Sequence, residues 1–181
     1  MFVEGTMIKK IPIGISSCLL GDEVRFDGGH KRDSYITGTL SRYFDFHPFC
    51  PEVAIGMSIP RPPIRLVKIE GEVRAVVVKD PSTDFTEQLR NYAERQKGLH
   101  SQLCGYILKK DSPSCGMERV KIFSGSMPER KGTGVYAEVM LRNNRLLPVE
   151  EEGRLGDPGL RENFIQRVYV LYRWKKLIEE G

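Results

Sequence analysis

Three cysteines each stand just past a short apolar run: Cys18 after IPIGISS, Cys50 after DFHPF, and Cys115 in the turn that follows YILKK. That turn, Ser112-Pro113-Ser114-Cys115-Gly116, is polar and tight, an unusual place for a thiol whose only task is packing. Glu52 lies two residues beyond Cys50, and Ser112 lies three before Cys115. Thiolates are ligands for soft metals, while a positioned carboxylate or hydroxyl can move protons. A fourth cysteine, Cys104, begins an apolar run instead of ending one.

The runs that carry these residues read as strands. Residues 11–17 form a first buried strand ending at Cys18, and DFHPFC (45–50) a second. CGYILKK leads from Cys104 into the Ser-Pro-Ser-Cys turn. Between them, SYITGTLSRYF (34–44) has helical spacing with Ser34 as its N-cap, and a longer helix opens at Asp84 with Phe85, Leu89, Tyr92, Ala93 and Leu99 on one side. IRLVKI and VRAVVV, joined by Glu70-Gly71-Glu72, read as a hairpin. A helix over VYAEVMLR and an extended piece at 146–149 follow. Alternation of this kind predicts an α/β fold: a mostly parallel, Rossmann-like sheet flanked by helices, with a small antiparallel arm and a C-terminal helix.

In a parallel α/β sheet, ligands bind outside the carboxyl ends of the strands. Cys18, Cys50 and Cys115 should therefore converge on that edge, with Cys104 at the far one. Three thiolates suit a soft metal or an iron-sulfur cubane, which then keeps one iron open as a Lewis acid. Zinc with three thiolates and an open position fits the same topology, and topology alone does not choose between them. Glu52 and Ser112 arrive at the same edge, the first suited to act as a general base and the second to orient substrate or pass a proton. A solvated loop carboxylate and an ordinary turn serine are the plain alternatives.

Other residues carry weaker signals. Arg25, Asp27 and His30 follow Cys18, and Arg61 and Arg65 flank Pro62-Pro63; any could hold a base or a phosphate, although solvated surface side chains are commoner. His47, before a proline within a strand, reads as structural. Gly132-Thr133-Gly134 ahead of a helix could offer N–H groups to an anion, but is too short to be a phosphate loop.

The chain has 181 residues, 40% hydrophobic, with a formal charge of +4. This is enough for one main domain, expected over residues 1–149, with a linker and C-terminal helix over 150–181. The charge permits a nucleic-acid partner without requiring one. No CxxC pair occurs, which counts against a zinc knuckle. There is no apolar run of membrane-spanning length, MFVEGTMIKKIPIG lacks the apolar core of a signal peptide, and a cytoplasmic location with free thiols is expected. The C-terminal helix is apolar on two sides, Leu160, Phe164, Val168, Leu171 and Ile178 on one and Ile165, Tyr169 and Tyr172 on the other. Such a helix asks for cover, as a docking helix, an oligomer contact or the opening of a further domain.

Taken in order, SSCLLG with VRFDGG, FCPE, RPP, SPSCG and GTGVYAEVM resemble the thiouracil desulfidase family over roughly residues 11–149. The resemblance implies a 4Fe-4S cluster held by Cys18, Cys50 and Cys115 with one open iron, a catalytic glutamate at Glu52 and a serine at Ser112. It leaves Cys104 without a role. The implied reaction is non-redox: a thiolated pyrimidine binds through its sulfur, water helped by Glu52 attacks the ring carbon, and uracil or uridine and sulfide are released. LPVEEEGRL followed by LRENFIQRVYVLYRW looks like the junction to the companion domain of longer relatives linked to 4-thiouridine in tRNA, so tRNA is a candidate partner beside free thiouracils. The competing reading is a metal- or cluster-binding RNA module without catalysis, suggested by Lys109-Lys110 and Arg130-Lys131.

Overall fold

The computed structural model describes residues 10–125 and 127–180. Its first sheet contains β1 (Ile11–Ser16), β2 (Phe44–Phe49), β5 (Gly105–Leu108) and β8 (Val149–Glu151), in the order β2-β1-β5-β8 and parallel throughout. β1 sends Ile11, Ile13 and Ile15 to one face, where Ile107 of β5 joins them; Tyr106 and Leu108 point to the other. Burying both faces needs helices on both, which is why these strands are near-continuous apolar runs. Each fully buried isoleucine contributes roughly 1.5–3 kcal/mol before entropic costs.

One face is covered by α1 (Ser34–Gly38) and α6 (Pro158–Glu180), which contributes buried Phe164 and Val168. Gly105 permits this approach: a Cβ there would lie 2.7 Å from Val168 Cγ2 and 2.8 Å from Ile13 Cδ1. The opposite face is covered by α3 (Thr86–Arg95) and α5 (Val135–Asn143), through Ala93, Tyr136, Val139 and Met140. α6 keeps much of its apolar surface outside this core, with Val170, Trp174, Leu177 and Ile178 exposed. Among the described residues no helix is long and apolar enough to cross a membrane.

The predicted hairpin is part of a larger second sheet. β3 (Ile64–Ile69) and β4 (Glu72–Val77) pair antiparallel, and β3 also pairs in parallel with β6 (Val120–Phe123), which pairs antiparallel with β7 (Glu129–Gly132). β6 and β7 are not evident from sequence: each has four residues, and ERKG has no apolar alternation because it is a charged edge strand.

Three boundaries differ from the sequence expectation. Asp33, not Ser34, caps α1, its Oδ1 accepting the Ile36 N–H at 2.9 Å; the helix stops at Gly38, and Phe44 opens β2. The long helix is two, α3 and α4 (Lys97–Gln102), so Leu99 is exposed and not on the apolar side. The last strand starts at Val149 and takes in Glu150 and Glu151, both buried.

Candidate active site

β5, β1 and β2 are neighbours, and their carboxyl ends deliver Cys115, Cys18 and Cys50 in spatial succession. The chain places β2 on one side of β1 and β5 on the other, so the connections leaving β1 and β5 part company and open a crevice at that edge. A cavity of about 390 Å³ lies there, lined by all three cysteines together with Glu52, Ser112 and Ser114. That volume falls within the roughly 300–1,000 Å³ usual for small-molecule sites. Cys104 sits at the opposite edge, buried, its N–H bonded to Pro12 O.

All three site cysteines are free thiols. Burial pushes Cys18 up to about 11, with Lys109 and Arg25 pulling against it. Burial also raises Cys50, opposed by the Val53 N–H. Cys115, almost wholly enclosed, is driven furthest up by burial and then by the charges of Cys50 and Glu52. These groups feel one another, so ionising all three requires positive charge in their midst.

The turn bearing Cys115 is held by the Ser112 hydroxyl, which accepts the N–H groups of Ser114 (3.3 Å) and Cys115 (3.0 Å). Its own proton is then directed to Ser114 Oγ, 3.0 Å away. Ser114 Oγ in turn donates to Glu52 Oε1 at 2.6 Å. The other carboxylate oxygen, Oε2, accepts from Arg61 Nε at 2.8 Å and lies in ion-pair contact with Nη2 at 2.7 Å. Ser114 was not singled out by the sequence, since a serine between proline and cysteine looks like any turn residue; its burial beside Glu52 is a tertiary fact.

Behind the turn, the Val135 and Ala137 N–H groups of α5 donate to Pro113 O and Ser114 O, and Gly134 N–H to Gly116 O. Gly134 and the first turn of α5 therefore spend these donors on the turn and do not present them to an anion. A Cβ on Gly134 would lie 2.5 Å from Ser114 C and O and 2.7 Å from Cys115 N, backbone atoms that cannot step aside. Gly134→Ala should cost about 1–3 kcal/mol, the range for overpacking. It should also lower iron bound on anaerobic reconstitution, checked by urea unfolding and iron analysis; unchanged values in both would show that the turn has slack.

The acids at the end of β8 fasten the same region. Glu151 Oε1 accepts the Met117 N–H at 2.8 Å, and Glu152 accepts Lys110 N–H at 2.8 Å and Lys109 Nζ at 2.5 Å. Of the weaker candidates, Arg25 lines the cavity, while Asp27 turns back to the Gly29 N–H and Arg25, and His30 accepts the Arg32 N–H. His47 is remote, beside Asp45. His100, which the sequence did not single out, is buried against Tyr136 Oη at 2.7 Å, and burial lowers it to about 4, so it is neutral near pH 7.

A family model described as 2-thiouracil desulfurase matches residues 13–152, spanning β1 to β8 and every residue of this edge. The chain belongs to that family. Among its relatives is the uncharacterized protein YbbK of Bacillus subtilis (strain 168), 30% identical over 149 residues that cover 79% of this chain and 97% of YbbK. The solved structure of the 4Fe-4S-dependent thiouracil desulfidase TudS is 30% identical, with a TM-score of 0.64, covering 85% of this chain and 99% of TudS.

Proposed function

We propose that this protein is an iron-sulfur-dependent, non-redox desulfidase that converts a thiolated pyrimidine to the oxo form with release of sulfide. The observation that carries the reading is the meeting of three strand-end thiols and a hydrogen-bonded carboxylate in one cavity. Its kinship with TudS, named as 4Fe-4S-dependent, supports it. The donor set fits such a group. All three thiols line one cavity, and three thiolates suit an iron-sulfur cubane. Cys18, Cys50 and Cys115 would hold the 4Fe-4S cluster, leaving one iron without a protein ligand. When bound, the cluster supplies a thiophilic Lewis acid that draws electrons from the carbon bearing sulfur.

The remaining work belongs to the chain. Glu52 accepts the proton of the water that attacks the ring carbon. Ser114 and Ser112 keep Oε1 within a line of hydroxyls that can return a proton to the pyrimidine. The buried turn limits bulk water, so the carboxylate meets little competition from solvent. Sulfide release measured on anaerobically purified protein with 2-thiouracil, 4-thiouracil and 4-thiouridine tests the reading. Release from none of them by iron-loaded protein would reject it in favour of a non-catalytic cluster module.

We further infer that the substrate extends to nucleotide-borne bases, including 4-thiouridine in tRNA. A second cavity of about 310 Å³ shares Ile64, Asp111 and Pro113 with the first and carries Arg65, Lys121 and Arg130. Arg65 lies 5.0 Å above the Phe123 ring, and its buried Nε has no partner. Arg65→Ala should lower kcat/KM about tenfold for a phosphorylated thiouridine, the worth of one charged contact, while leaving 4-thiouracil within twofold. Equal losses on both would remove the phosphate contact.

A further inference from the structure

We propose that Arg61 is a positioning residue that, with Ser114, clamps Glu52 from two sides and selects which carboxylate oxygen faces the reaction; this rests on the reading of Glu52 as the base. Sequence alone offers Arg61 as a group for substrate, because an arginine beside a site usually suggests an anion. The structure gives every one of its side-chain nitrogens another acceptor. Nε and Nη2 both converge on Glu52 Oε2, Nη2 also reaches Val24 O at 2.8 Å, and Nη1 reaches Ser58 O at 3.3 Å. The Arg61 side chain is 4% exposed.

Its position has a consequence for the carboxylate. The Nε hydrogen bond and the ion pair with Nη2 occupy Oε2, and Oε1 stays with Ser114 at the cavity. Rotation of the carboxylate about its terminal bond, otherwise broad and nearly two-fold, would break two hydrogen bonds and an ion-pair contact at once. The same arginine also sets where Glu52 stands relative to the thiols. Its backbone N–H donates to Phe26 O at 2.9 Å, and Val24 O, which takes Nη2, also lies 3.9 Å from Cys50 Sγ. The loop after Cys18, the start of α2 (Pro51–Ala54) and the base are therefore joined through one buried side chain.

A double-mutant cycle separates positioning from general support. Arg61→Met should lower kcat about ten- to a hundredfold, as for a misplaced group, with KM within about twofold and iron content unchanged. In a Glu52→Gln background the same change should cost less than about threefold, because no base remains to be aimed. Arg61→Lys should recover part of kcat, since an ammonium supplies charge without the two-nitrogen grip. A readout independent of turnover is the carboxylate stretch of Glu52, taken in cluster-free protein as the infrared difference between each Arg61 form and its Glu52→Gln counterpart; it should shift in Arg61→Met. Equal losses in both backgrounds, a change in KM alone, or an unmoved carboxylate band would each overturn the proposal. Should Arg61→Met not fold, Arg61→Lys in the two backgrounds carries the same test. Full activity in Glu52→Gln itself would instead reject the role of Glu52, a distinct failure.

Discussion

Cys115→Ala protein purified without oxygen should be colourless and hold little iron, whereas Cys104→Ala should keep its iron, acid-labile sulfide and brown colour. Both cysteines are buried, so burial does not distinguish them. Their places along β5 do: Cys104 immediately precedes the strand, and Cys115 sits in the turn beyond its carboxyl end. One edge gathers Cys18 and Cys50 and the other does not. Loss of one of three thiolates removes a ligand from a group that cannot be held at that corner by Ser114, whose proton is committed to Glu52. Cys104→Ala should instead lower thermal stability slightly, because the thiol packs with Ile13 and Val168 in the core of the first sheet. Iron lost equally from both variants would detach the cluster from the three strand ends, and iron retained in Cys115→Ala would exclude that residue as a ligand.

The strand-end positions were legible in the sequence because they depend on a one-dimensional signal, the end of an apolar run, and a parallel sheet converts run ends into one spatial edge. Glu52 and Ser112 came with the cysteines they accompany. Arg61 is a different case: it lies nine positions beyond Glu52, and no periodicity specifies that they meet. Ser114 is hidden for the same reason, its partner Glu52 being sixty-two residues away. The acids Glu150, Glu151 and Glu152 fall in the expected linker, yet Glu152 and Glu151 accept amides just past β5 and after Cys115, and Glu150 accepts the Glu151 N–H and Arg154 Nε. Composition marks such residues as surface, and only the packing of β8 beside β5 makes them part of the site's frame. The missing strands β6 and β7 show the converse: four-residue strands depend on their neighbours more than on their own pattern.

Glu52→Gln should leave iron content intact and slow desulfuration by roughly two to four orders of magnitude, the usual worth of general acid-base catalysis. The substitution preserves shape, and the amide oxygen can still accept from Arg61. The other end of the amide is now a donor, where Ser114 Oγ had been donating to Oε1. Ser114 must turn its proton elsewhere, and the line Ser112 to Ser114 to residue 52 reverses or breaks. The variant thus loses both the base and the direction of the hydroxyl chain while all three thiols stay in place. Ser112→Ala should behave differently: its hydroxyl accepts the Cys115 N–H, so removal leaves that buried amide unpaired and should weaken iron retention together with rate. Single-turnover sulfide release, normalised to iron, distinguishes the two outcomes. Normal turnover in Glu52→Gln would remove the carboxylate from the chemistry, and loss of its iron would make Glu52 a support of the cluster; a large loss per iron with full iron content is the result that identifies a base.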